Sequence, residues 1–163
     1  EFLPLLAEKT QKHTRYKIIG DGGKRNILER NLSLRNITNV ELVDPVERSE
    51  LLIEYQKADI LFLHLNNYNA FKKVLPSKVF EYAAMEKPIL AGVSGYSATF
   101  LNTHVENSAV FEPCNLQQAV KSLEQLEMGQ TDRTEFINSF LRTKIMLEMA
   151  KSILSACSKK VPF

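Results

Sequence analysis

Apolar residues recur at helical spacing through "LPLLAEKTQKH" and then close up in the β-rich run "RYKIIG", which predicts a helix leading into a short strand. "GDGG" punctuates the turn that follows, and "KRNILERNLSL" reads as the next helix. "NVELV" is a second strand, rich in β-branched residues and stopped by "DP". "ERSELLIEYQKA" places Leu51, Leu52, Tyr55 and Ala58 on one helical face, and "DILFLHL" follows as an almost unbroken apolar strand. A run of that kind suits a parallel strand covered on both faces. The polar loop "NNYNAFKKVL" leads to the helix "SKVFEYAAME", and "KPILAGV" is another buried strand. "SGYSATFLNTHV" predicts a helix, "SAVFEP" a short strand, and "NLQQAVKSLEQLE" a helix started by Asn115. The remainder is a long amphipathic helix or helix pair with Phe136, Phe140, Ile145, Leu147, Met149 and Ile153 among its apolar residues.

Strands alternating with helices predict an α/β fold, a Rossmann-like parallel β-sheet with helices on both faces. Ligands of such sheets bind beyond the carboxyl ends of the strands, which here are residues 20–23, 44–45, 65–76 and 93–96. No repeat, low-complexity tract or linker interrupts the pattern, so the 163 residues read as one domain, 1–163. The opening has no starting Met and runs a helix directly into a strand, which reads as a chain entered partway.

Composition narrows the class. A chain that is 44% hydrophobic and 25% charged is that of a compact domain. Its net charge of +2, from 21 basic and 19 acidic residues mixed along the chain, gives no footprint of nucleic-acid binding. Cys114 and Cys157 lie far apart without CxxC spacing, which favours a reducing, cytosolic setting. The apolar runs are too short to span a bilayer, leaving a soluble or peripherally attached protein.

Candidate chemistry gathers at two strand ends. In "IIGDGGK", glycines between strand and helix let backbone approach a phosphate. Gly20 and Gly22 match the first two glycines of a dinucleotide fingerprint, but Arg25 stands at the third position; a tight turn needing positive φ accounts for the same residues. In "LPSKVFEY", Pro76 limits the chain just ahead of a helix, Ser77 is a good cap, and the first-turn amides carry the positive end of the dipole. Lys78, with Lys72 and Lys73 in the same loop, can balance a diphosphate, although Lys72 reads better as a solvated lysine. Glu81 stands among Val79, Phe80, Tyr82, Ala83 and Ala84, where an acid sits at an edge or is buried for a reason. A carboxylate there can accept hydrogen bonds from two vicinal sugar hydroxyls. Asp21, Asp44, Asp59 and Asp132 never pair as Asp-x-Asp, and His13, His64 and His104 lack metal-ligand spacing, so no protein-bound metal is expected. His64, at the end of a central strand, reads as a packed residue or a pocket liner.

These motifs, in this order, resemble the C-terminal, donor-binding domain of a GT-B glycosyltransferase of the retaining family four type. "YKIIGDGGKRNIL" is similar to that family's strand and Gly-x-Gly turn, and "NITNVELVDPVERSELLIEYQKADILFLHL" to its "N-V-x-F … L-x-x-x-Y-x-x-A-D-I" segment. "LPSKVFEYAAMEKPILAG" is similar to its "P-S-K-x-x-E-Y-x-A-x-G-K-P-I-x-A" signature, and "VFEPCNLQQAVKSL" to the stretch after its last strand. The resemblance implies one half of a GT-B fold and transfer, with retention, of a sugar from a nucleoside-diphosphate donor (UDP or GDP, with UDP preferred) to a saccharide or lipid-linked acceptor. It implies no cofactor and no required metal. Carried over by motif, Glu81 binds the ribose hydroxyls and Pro76, Ser77 and Lys78 hold the diphosphate through the helix start. Gly20, Gly22 and Gly23 form the turn near the donor, Asp44, Pro45 and Val46 border the base, and Lys73 and Lys78 stabilise the leaving diphosphate.

Three departures accompany the likeness. Lys73 stands where the family often has the first of two glutamates; variants of this kind resemble transferases for deoxy or N-acetylated sugars in O-antigen and capsule assembly, including N-acetylfucosamine transferases. The family's first strand and its acceptor domain would precede residue 1, so the chain alone is expected to bind nucleotide weakly and turn over nothing. Glu86 replaces the glycine of "G-K-P". The family's role also implies a cytoplasmic protein, associated peripherally with the inner face of the membrane. The alternatives are an NAD- or flavin-binding Rossmann module, and a non-enzymatic interaction domain using loop 66–73.

Overall fold

The structure is a computed structural model, in which residues 2–158 are described. Helices and parallel strands alternate in chain order: α1 (Phe2–Lys9), β1 (Tyr16–Ile19), α2 (Arg25–Leu34), β2 (Val40–Val43), α3 (Arg48–Lys57) and β3 (Leu61–His64). A short 3₁₀ helix, Asn69–Lys73, precedes α4 (Ser77–Ala83), β4 (Ile89–Gly92), α5 (Tyr96–His104), β5 (Ser108–Phe111), α6 (Leu116–Glu124), α7 (Thr134–Ser139) and α8 (Arg142–Ser158). Each predicted strand and helix is present. The polar loop after β3 carries the unforeseen 3₁₀ turn, and the C-terminal segment resolves into a helix pair.

The expected single sheet is divided. β1 pairs with β2, Tyr16 opposite Val40, while β3, β4 and β5 form a second parallel sheet with Leu61 opposite Ile89 and Ile89 opposite Ser108. Among the described residues, β1, β2, β3 and β5 each keep one edge unpaired, and β4 is paired on both sides.

Strand alternation distributes the core. Leu63, Ile89, Ala91 and Val93 face Val79 and Ala83 of α4, Phe100 and Leu101 of α5, and Phe136 of α7. The intervening residues Phe62, Leu90, Ala109 and Phe111 pack on the other face against Phe2 and Leu6 of α1 and Ala119 of α6. This is the period-two consequence of a strand buried on both sides. Leu6, Ile89, Leu90 and Leu101 are almost wholly enclosed, each burial stabilising the fold by roughly 1.5–3 kcal/mol. Gly92 completes the middle strand because a Cβ there would collide with the rings of His64 and Phe111. On the smaller sheet, Ala7, Leu32 and Ile37 cover Tyr16, Val40 and Leu42.

Two helical faces differ from expectation. Tyr55 is the only buried residue of α3, with Leu52 exposed. On the last helices, the rings of Phe136 and Phe140 pack at a tilt with centroids 4.6 Å apart and join Phe80 and Phe100. Along α8, by contrast, residues 142–157 are all exposed, including Ile145, Leu147, Met149 and Ile153.

Candidate functional site

The carboxyl end of β1 turns at Gly20, whose φ of +138° favours glycine and whose N–H bonds the Val43 carbonyl at 3.0 Å. Arg25, at the start of α2, folds back over this turn. Its Nη1 donates to the Gly20 carbonyl at 2.9 Å, its Nη2 lies 2.9 Å from Asp44 Oδ1, and its Nε meets Glu29 at 3.1 Å. Arg25 thus joins the glycine turn to the end of β2, the two places expected to border a nucleotide. The residue that broke the dinucleotide fingerprint is the one that ties these loops together, and its side chain lies across the turn that a third glycine would leave clear.

Gly22 accepts the Arg25 backbone N–H at 2.8 Å. Neither Gly22 nor Gly23 has positive φ, and a Cβ at Gly20, Gly22 or Gly23 would meet nothing within 4 Å. No packing inside the domain requires glycine at 22 or 23; they keep an open approach to the backbone. Asp44 and Pro45 are exposed, and Val46 lines a shallow cavity of about 260 Å³ with Ile19, Val43 and Ile53, rimmed by Lys17, Glu50 and Glu54.

The second cluster forms where β3 and β4 end. Ser77 is the first helical residue of α4 rather than its cap; Pro76 occupies the cap position in extended conformation, with no side-chain cap hydrogen bond. A proline suits this end because its fixed φ enters the helix and it has no N–H to satisfy. One turn on, Lys78 Nζ lies 2.9 Å from Glu81 Oε2 and donates to the Tyr55 hydroxyl at 2.7 Å. The Lys78 ammonium, expected against a diphosphate, is therefore engaged within the protein, with one of its three N–H groups left over. Burial works to lower the Lys78 pKa, but the hydrogen bonds it donates to Tyr55 and Glu81 outweigh it and the net direction is upward. Tyr55 packs edge-on against Tyr82, 5.3 Å between centroids, and burial pushes the Tyr82 phenol up to about 12.

Lys73 ends the 3₁₀ helix, exposed and without an ion pair among the described residues. Its loop is seated against the β4–α5 turn. Gly95 has φ +64°, and a Cβ there would strike the Lys72 backbone, while the buried Ser97 hydroxyl donates to the Val74 carbonyl. The structure thus joins Gly20 and Asp44 in one cluster and Lys78 and Glu81 in another, and no hydrogen bond or ion pair links the two among the described residues.

His64 belongs to neither. Its ring stacks on Phe2 at 4.5 Å, its Nε2 accepts the Cys114 N–H at 3.2 Å, and burial pushes its pKa down to about 4. It is a packed, neutral histidine. Among the described residues, no group of His, Cys, Asp or Glu side chains converges in a way that could hold a metal, and no helix is long and apolar enough to cross a membrane. Sequence named Arg25 only as a mismatch to a fingerprint and Tyr55 only as part of a helical face, and neither, nor Gly95, as a site residue: Arg25 and Tyr55 act across 18 to 23 residues of chain, beyond any local motif. A glycine three residues past the end of a buried strand was the available signal for Gly95.

Comparison with solved structures finds the crystal structure of AviGT4, a glycosyltransferase involved in avilamycin A biosynthesis, at a TM-score of 0.66 and 13% identity. The likeness covers 92% of this chain and 46% of that one, so this chain spans about half of it. It shows the fold, an α/β half of GT-B type, and at that identity nothing finer. No curated protein matches the sequence significantly. The family model for glycosyl transferases group 1 matches residues 1–140. With most of the sequence matched and the GT-B architecture in place, the chain belongs to the group 1 glycosyl transferases.

Proposed function

We propose that this domain is the donor-binding half of a retaining glycosyltransferase, which takes a sugar from a nucleoside diphosphate of the UDP class and passes it to a saccharide or lipid-linked acceptor held by a separate domain. The observation that carries the reading is Glu81. It stands one turn inside α4 with Oε2 fixed by Lys78, and Oε1 has no protein partner among the described residues. A carboxylate held by one oxygen and open at the other is prepared to accept ligand hydroxyls. The uncapped start of α4 supplies amides at Ser77 and Lys78 for a diphosphate. Gly20, whose carbonyl Arg25 holds, and Gly22 and Gly23, where a Cβ would meet nothing within 4 Å, form the turn that receives the donor at the end of β1, with Asp44, Pro45 and Val46 at its border. Lys73, exposed on the adjoining loop, supplies mobile positive charge to the departing diphosphate.

In this reading the protein's contribution is preorganised charge. Amides already in place at the start of α4, joined by Lys73 and the remaining N–H of Lys78, stabilise the diphosphate as its bond to the sugar breaks. The donor's own phosphate helps take the proton of the incoming hydroxyl, and neither metal nor organic cofactor takes part. Surface-polysaccharide assembly at the cytoplasmic face of the membrane is the setting that the P-S-K…E-Y signature supports.

Thermal unfolding with UDP, GDP, UDP-N-acetylhexosamine and NAD tests the proposal, because only a ligand preferring the native state raises stability. We expect one nucleoside diphosphate to raise the midpoint and Glu81→Ala to abolish the rise. Stabilisation by NAD alone, or a rise untouched by Glu81→Ala, would overturn it.

A further inference from the structure

We infer that Tyr55 is a positioning residue of this donor site: its hydroxyl anchors the Lys78 ammonium, which holds one oxygen of Glu81 and leaves the other to the ligand. The inference rests on the donor-site reading above and adds to it a residue from a different helix.

The geometry is a relay of two contacts, Tyr55 to Lys78 at 2.7 Å and Lys78 to Glu81 at 2.9 Å. Tyr55 is suited to be the fixed end. Only 8% of it is exposed, Tyr82 braces its ring edge-on, and it is the only buried residue of α3. A buried phenol needs a hydrogen-bond partner, and here the partner is an ammonium that also lies 5.3 Å from the ring centroid. Lys78 is the movable link: its side chain is 40% exposed and that of Glu81 27%. An i,i+3 lysine–glutamate pair on a helix surface is worth only a few tenths of a kcal/mol and does not by itself hold a carboxylate in one place. The third partner, fixed from below, is what restricts the pair to one arrangement. Tyr55 therefore acts through Lys78 and Glu81 and touches no substrate itself.

A merely structural tyrosine and a positioning one make different predictions. Binding of UDP and GDP, each beside its 2′-deoxy counterpart, is measured calorimetrically with the full-length protein, its Tyr55→Phe and Glu81→Ala variants, and the double variant. Tyr55→Phe is expected to weaken the preferred ribonucleotide about three- to tenfold, the range of one hydrogen bond, and to narrow its advantage over the deoxy form. In the Glu81→Ala background the same substitution should add nothing, because the group it positions is gone. A Tyr55→Phe protein that keeps the full ribose preference while Glu81→Ala loses it would overturn the inference and leave the donor site standing. Equal weakening in both backgrounds would overturn it too, as packing damage. If Glu81→Ala changes the binding of neither nucleotide, the donor-site reading fails and the inference with it. Should Tyr55→Phe fold poorly, Lys78→Met cuts the same relay from the exposed side and is judged by the same coupling.

Discussion

Single residues show most directly what local sequence can and cannot convey. Asn115 was legible as a helix start, and its side chain accepts the Gln118 N–H as a cap should. Glu86 was legible only as an exception to a glycine pattern. It keeps the left-handed backbone, φ +57°, and uses its carboxylate to accept from Gln130 at 2.9 Å and from the Arg133 N–H at 3.2 Å. The side-chain bonds offset the strain that a glycine would have avoided. His64 illustrates a property that no spacing reveals, since its low pKa comes from the rings around it. Because it is held down to about 4 in the fold against 6.5 unfolded, the unfolded chain takes up the proton first. Its contribution is complete above pH 6.5, is lost as pH falls toward 4, and changes no further below that. The loss is roughly 3 kcal/mol at most, less where solvent reaches the ring. In urea unfolding across this window the parent should lose stability relative to His64→Phe as pH falls; a difference independent of pH would refute the assignment.

At the scale of elements, periodicity and turn residues located every strand and α-helix, though not the 3₁₀ helix Asn69–Lys73, because those signals are written within a few residues. What they could not report is how one element is seated on another. The loop that carries Lys72 and Lys73 looks unconstrained in sequence, yet it is fixed by the absence of a side chain at Gly95 and by the Ser97 hydroxyl on Val74. Arg133, buried beneath its neighbours, likewise joins the end of α4 to the end of α5 by donating to the Lys87 carbonyl at 2.9 Å and the Glu106 carbonyl at 3.0 Å. Gly95→Ala should cost about 1–3 kcal/mol from backbone strain alone, and more through the collision with Lys72. Denaturant midpoints should fall, and trypsin should cut after Lys72 and Lys73 faster than in the parent; an unchanged cleavage rate would show that the turn does not seat the loop.

The whole molecule divides at a place that sequence marked only faintly. The family match ends at residue 140, and so does the packed part of the chain, with Phe140 the last of the aromatic cluster. Beyond it α8 has the apolar content of a core helix but lies exposed from 142 to 157. Ending the chain after residue 141 should therefore change unfolding free energy by no more than about 0.5 kcal/mol, as expected for surface positions. A loss of several kcal/mol in the same titration would mean that α8 is packed on the domain. Amphipathic spacing predicted the helix correctly but says nothing about which surface receives it.

The division of the sheet carries a consequence for how this molecule meets its own copies. An unpaired strand edge presents a row of amides and carbonyls ready to pair with any extended backbone. β1 places Lys17 on its edge strand, and charge there discourages such pairing. β3 reads Leu-Phe-Leu-His, with neither charge nor proline. Wherever such an edge stays uncovered, β3, and β5 with its Ser-Ala-Val-Phe, are the strands to which an extended segment can add by backbone pairing.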